Sequence, residues 1–188
     1  SDKRIVKFRQ TDDAIKMEML FCSALAHPTV IVRTTKIKTL LYDEAGWEAE
    51  DYDLWERAIR AGWKMTNVPE VLLLYRVHAA QISTKKATRQ QQLTQEIRLR
   101  CWDFKSSSMQ LDRKLIDEAM KIFEFSLSEV DMGAVDTLFT ALLRSCHGES
   151  RAIVFDHVTR LYFRVATQCP NITQRWAKLN REFGKGWG

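Results

Sequence analysis

The chain has 188 residues, 45% hydrophobic and 28% charged, with 9 Phe, 6 Trp and 4 Tyr against only 7 Gly and 3 Pro. This is the profile of one packed domain or two small ones, and it excludes disorder, collagen-like repeats and low-complexity linkers. The net charge of +5 favours anionic partners without naming one. No apolar run approaches the ~20 residues that span a bilayer, and the basic start SDKRIVKFRQ has no apolar core or cleavage site behind it. A soluble, unprocessed chain is expected, and its start at Ser1 rather than Met is what a piece of something longer would show. Cys22, Cys101, Cys146 and Cys169 are too far apart for a C-x-x-C metal site and read as buried free thiols in a reducing compartment.

In chain order, Thr11 followed by Asp12 and Asp13 is a helix start: a capping hydroxyl, then two carboxylates in the positive first turn. Ile15, Met19 and Cys22 recur on one face, predicting a helix over 12–22. His27-Pro28 interrupts the chain, and the β-branched run 29–33 predicts a buried strand. Residues 34–41 predict a short helix leading into the loop Tyr42-Asp43-Glu44-Ala45-Gly46-Trp47. From 51 to 61 the apolar positions Leu54, Trp55, Ala58 and Ile59 form an amphipathic stripe, ended by Gly62. Residues 64–68 and 71–77 predict strands around a Pro69-Glu70 turn.

Beyond about residue 85 the strand signals stop. Leu93, Ile97 and Phe104 mark one helix, and Leu111, Leu115, Ala119, Ile122 and Phe123 a second. Val135, Leu138, Phe139, Leu142 and Cys146 mark a third; Ile153, Val158, Leu161, Tyr162 and Val165 a fourth; Ile172, Trp176, Leu179 and Phe183 a fifth. Breaks are expected at Ser106-Ser107-Ser108, near Asp131-Met132-Gly133 and at Gly148-Glu149-Ser150. The expected organisation is therefore an α/β part over 1–85 followed by an all-α, bundle-like extension over 86–188, mostly helical overall. The charge excess belongs to the second part: residues 1–85 carry 13 basic and 12 acidic groups, residues 86–188 carry 16 and 12.

The densest cluster of chemically capable residues is Glu48-Ala49-Glu50-Asp51-Tyr52-Asp53-Leu54-Trp55. Four carboxylates in six positions repel one another, and the positive end of a helix offsets part of that cost. A solvated helix start explains the charges alone. Tyr52, Leu54 and Trp55 imply instead a packed turn, where an ionised carboxylate can accept a proton.

The ordered runs His27-Pro28-Thr29-Val30, Tyr42-Asp43-Glu44, Ala49-Glu50-Asp51-Tyr52-Asp53-Leu54-Trp55, Ala61-Gly62, Asn67-Val68-Pro69-Glu70-Val71-Leu72 and Tyr75-Arg76-Val77-His78 resemble the back half of a family-two bacterial glycosyltransferase of the GT-A fold. The resemblance covers roughly residues 10–83. It implies a fragment of an inverting enzyme that transfers a sugar from a nucleotide sugar to a glycan or lipid-linked acceptor in surface polysaccharide synthesis. Asp51 is then the catalytic base that deprotonates the acceptor hydroxyl, with Glu50 orienting acceptor or base. Arg76 and His78 interact with the donor diphosphate or its divalent ion, His78 being the candidate metal ligand. His27 and Trp55 line the site, against the plainer readings of a structural histidine and a core tryptophan; for Arg76 the plainer reading is a surface salt bridge.

The resemblance also implies a divalent cation, Mn or Mg, held by an Asp-x-Asp motif that follows an apolar strand. Asp51-Tyr52-Asp53 has that spelling but follows Ala49-Glu50 and opens a helix, so it belongs to the base motif, and no other Asp-x-Asp occurs. With no Gly-rich nucleotide-binding turn ahead of residue 10, the chain alone is expected to bind nucleotide sugar weakly and to be inactive. Basic residues around Trp102, Trp176 and Trp187 in 86–188 suit solvated helix faces, or peripheral contact with the inner face of the membrane or with another protein. They are too sparse for a nucleic-acid footprint. The resemblance places the enzyme in the cytoplasm. A different class remains open: a non-catalytic helical docking module carrying a transferase remnant.

Overall fold

The structure, a computed structural model, describes residues 5–44, 47–74, 87–124, 126–127 and 129–184. Arg76 and His78, the expected strand end 75–77, Ala45-Gly46 of the loop, and Trp187 lie outside them. The elements are α1 (Asp12–Glu18), a 3-10 turn (His27–Thr29), α2 (Thr34–Leu40), α3 (Glu50–Arg60), α4 (Ala87–Met109), α5 (Arg113–Phe123), α6 (Met132–Ser145), α7 (Gly148–Arg164) and α8 (Ile172–Phe183). Two compact units divide the chain, Ser1–Cys101 and Trp102–Gly188, the boundary falling within α4.

The expected α/β part is overturned: among the described residues every regular element is helical and there is no strand or sheet. A run of β-branched residues becomes a strand only when a neighbouring strand takes its N–H and C=O groups, and these segments find none. Thr29 closes the 3-10 turn, and Ile31 in the expected buried strand is 98% exposed. Residues 64–67 are tied by side chains instead of a ladder. Met65 N–H donates to Asp12 Oδ1 at 3.0 Å, the Thr66 hydroxyl to the Gln10 carbonyl at 2.7 Å, and Asn67 Nδ2 to the Arg9 carbonyl at 2.6 Å. Val71, Leu72, Leu73 and Leu74 are all exposed.

In the first unit, the Thr11 hydroxyl accepts from Ala14 N–H and caps α1, with Asp12 and Asp13 in the positive first turn. The helix ends at Glu18, short of the expected residue 22, and the chain continues as turns whose Met19, Leu20 and Phe21 are buried. α3 packs on α2, and Arg57 fastens the pair: it donates to the carbonyls of Leu40 at 2.8 Å and Leu41 at 2.9 Å, the unsatisfied C-terminal end of α2. Gly62, at φ 74°, follows α3 in the left-handed conformation that its position anticipates. The core holds Ala14, Ile15, Met19, Leu54, Trp55, Ala58, Ile97 and Cys101.

In the second unit, α6 packs against α5, α7 and α8, and α7 against α8. Its core is built on Trp102, Ile122, Leu138, Phe139, Leu142, Leu143 and Tyr162, with Phe139 stacked between Trp102 and Tyr162 at ring-centroid distances of 6.2 and 6.1 Å. Asp131 caps α6, accepting from Gly133 and Ala134 N–H. The expected break at Ser106-Ser107-Ser108 does not occur. The three hydroxyls donate back to the carbonyls of Asp103 and Lys105 within the turn, and α4 runs on to Met109 before Gln110 takes a positive φ of 55°.

All four cysteines are free; three are buried and Cys22 is half-buried. No helix among the described residues is long and apolar enough to cross a membrane.

Candidate functional site

α3 opens on Ala49, which makes no side-chain cap, and in its first turn the Tyr52 N–H donates to the Asp51 carboxylate. Glu48 sits at φ 89°, a left-handed conformation unusual for a residue with a side chain. It is held there from both sides: its N–H donates to Glu50 Oε2 at 3.0 Å, and its carbonyl accepts from Gln90 Nε2 at 2.8 Å. Glu50 therefore fixes the approach to the helix.

The acidic residues of α3 separate by helical angle. Asp53 and Glu56 are buried and turned toward arginines. Asp53 pairs with Arg57 at 2.8 Å and with Arg100, and Glu56 lies 3.4 Å from Arg100 Nε and 3.7 Å from Arg60. Tyr52 donates its hydroxyl to the Met19 carbonyl at 2.6 Å, which pins the first turn to the segment after α1. Asp51 is left on a different face, half-buried, with Oδ1 accepting the Tyr52 N–H at 2.7 Å. Trp55 is one turn further along the same face.

Against that face packs the turn His27–Thr29. The His27 ring meets Trp55 edge-on at 6.2 Å and Tyr42 at 5.7 Å, and its Nε2 lies 2.8 Å from the Tyr42 hydroxyl. Burial is the largest influence on Asp51 and pushes its carboxyl above the usual range; the Tyr52 N–H and His27 pull it back down, and Glu50 pushes it up. The result is a carboxyl with more affinity for a proton than a solvated aspartate.

Of the residues singled out in the sequence, Asp51, Glu50, His27 and Trp55 thus lie in one cluster. Trp55 is also core, 3% exposed, and its indole N–H is buried without a hydrogen-bond partner. Arg76 and His78 lie outside the described residues. Tyr42, which the sequence offered only as part of a loop motif, joins the cluster; its place 15 residues from His27 follows no periodicity. The Asp51-Tyr52-Asp53 triplet does not fit a cation. Two positions apart on a helix, its carboxylates point away from each other, and Asp53 is already neutralised by two guanidinium groups. Among the described residues, Asp51 joins no trio of His, Cys, Asp or Glu ligand atoms close enough to share an ion.

No family model and no solved structure matches the chain. Over 51 residues it is 39% identical to a protein of Methanocaldococcus jannaschii named as an uncharacterized glycosyltransferase, a match covering 27% of this chain and 18% of that protein. The chain spans under a fifth of the length of the curated relative it matches.

Proposed function

We propose that this chain carries the acceptor-activating part of an inverting glycosyltransferase, with Asp51 as the general base. The acceptor hydroxyl gives its proton to the Asp51 carboxylate as its oxygen forms a bond to the anomeric carbon of a nucleotide sugar, and the bond from that carbon to the nucleoside diphosphate breaks with inversion. The observation that carries this reading is the half-buried Asp51 carboxyl, pushed up by burial and set in the first turn of α3 with its neighbours Asp53 and Glu56 already committed to arginines. A base needs a raised proton affinity and access to solvent, and Asp51 is only half-buried with its carboxyl pushed up. The limited similarity to a named glycosyltransferase supports the same class.

Glu50 orients the helix start through the Glu48 N–H rather than taking the proton itself. Donor binding is assigned to sequence other than the described residues, Arg76 and His78 included. The test is a panel of nucleotide sugars and glycan or lipid-linked acceptors offered to the full-length enzyme carrying this chain, with product detected by mass spectrometry. Product formation lost in Asp51→Asn and merely weakened in Glu50→Gln supports the assignment; a glycosylated product formed equally by Asp51→Asn rejects it.

A further inference from the structure

The positive charge of the chain is segregated. Residues 1–150 carry 22 basic and 22 acidic groups and are neutral as a whole, whereas residues 151–188 carry 7 basic and 2 acidic, so the entire excess of +5 falls there. The two acids are already matched: Asp156 pairs with Arg160 at 2.6 Å, and Glu182 with Arg144 of α6 at 2.8 Å. α7 turns Val158, Leu161 and Tyr162 into the core of the second unit, and α8 turns Ile172 and Leu179 inward. Helical geometry leaves Arg160, Phe163 and Arg164 on the outer side of α7, and Lys178 and Arg181 on that of α8, and all five are exposed.

Phe163 is the apolar group out of place among these cations, with 60% of its surface in water. Its ring stacks on Trp176 at a centroid distance of 5.6 Å, and the Trp176 indole N–H donates to the Thr159 hydroxyl at 3.1 Å, which fixes the support under the ring. We propose that this outer face of α7 and α8 docks the chain on an anionic phospholipid surface, with Phe163 entering the headgroup layer and the arginines and lysine meeting lipid phosphates. Aromatic rings collect at headgroup level, and long basic side chains lay their stems on the apolar boundary while their charged ends reach the phosphates. The cations are spread over two helices without a dense run. A fluid layer of headgroups satisfies such an arrangement without register, whereas a nucleic-acid backbone or an acidic peptide has fixed charge spacing to match. Asp51 takes no part in this contact.

The test is co-sedimentation of the 188-residue chain with vesicles of phosphatidylcholine alone, or of equal parts phosphatidylcholine and phosphatidylglycerol. Wild type should bind the anionic vesicles, bind those of phosphatidylcholine far less, and be released by high salt. Lys178→Gln combined with Arg181→Gln should weaken binding about thirtyfold, from the loss of two surface cations. Phe163→Ala, at an exposed position outside the core, should weaken it about tenfold. Lys36→Gln combined with Lys38→Gln removes the same charge from exposed positions on α2 and should bind as wild type. No binding to the anionic vesicles, or equal binding to both kinds, overturns the proposal. So does an equal loss in the α2 and α8 double variants, which would mark a diffuse charge effect, or unchanged binding by Phe163→Ala, which would leave the ring outside the contact.

Discussion

Replacing Arg100 with Met isolates the buried charge cluster behind α3. Arg100 contacts both Asp53 and Glu56, and the two carboxylates respond differently to its loss. Asp53 keeps Arg57 at 2.8 Å. Glu56, 2% exposed, is left only with Arg60 at 3.7 Å, a side chain 55% exposed and therefore weakly held. Removing one partner from a buried ion pair costs about 3–5 kcal/mol; the surviving Arg60 and the 40% exposure of Arg100 itself bring the figure down to about 2–3 kcal/mol.

The pH dependence identifies the responsible group. Burial raises the Glu56 carboxyl in the folded protein above its unfolded value, against the pull of Arg100 and Arg60. The folded state therefore holds this proton more tightly, and the stability it provides is present below the unfolded value and lost as pH rises through the folded one. Without Arg100 the folded value rises further. The deficit of Arg100→Met should then be small at about pH 4 and grow to its full size near neutrality. Urea denaturation at several pH values, with amide hydrogen exchange in α3 to localise the effect, measures it. Adding Glu56→Gln should recover most of the loss. A deficit of equal size in acid and at neutrality, or no recovery by Glu56→Gln, would refute the reasoning.

Other consequences are equally direct. Asp51→Asn should stabilise the first unit at neutral pH, because a carboxyl raised by burial loses stability as pH rises through its folded value whereas Asn stays neutral; the gain over wild type in denaturant melts should vanish in acid. Tyr52→Phe removes the buried bond to the Met19 carbonyl and should cost about 1–3 kcal/mol in the same melts, since the carbonyl is left without its donor. Phe139→Ala, at a fully buried position between Trp102 and Tyr162, should cost the second unit about 3–5 kcal/mol, read from the loss of exchange protection in α6. The Cys22 and Cys101 thiols, both pushed up to about 12 mainly by burial, should resist alkylation in the folded chain at about pH 8 and react once it is unfolded in guanidinium.

The sequence made local features legible and left pairing features open. Helices announce themselves through contacts three and four residues apart, so Leu54, Trp55 and Ala58 define α3, and Leu138, Phe139 and Leu142 define α6. Strands are non-local. Nothing within 29–33 or 71–74 says whether a partner strand is present, and without one Ile31 and Leu74 stay in solvent. The three serines at 106–108 read as a break because their hydroxyls compete for backbone groups; here the competition is resolved inside the helix, by donation to carbonyls a turn back. In the site, Asp51 and Glu50 were marked by their position in a first turn. The partition of labour was not, because it depends on Arg100 reaching Asp53 and Glu56 across 47 and 44 positions of sequence. Tyr42 was hidden for the same reason, its bond to His27 being set by the fold rather than by spacing.

The central claim is that Asp51 accepts the proton of a sugar hydroxyl. The most direct measurement is turnover by the full-length enzyme and its Asp51→Asn variant at saturating donor and acceptor, with donor affinity measured separately by calorimetry. Loss of a general base predicts a fall in kcat of about 10²–10⁴-fold with donor affinity unchanged. An Asp51→Asn enzyme with wild-type kcat would contradict the account.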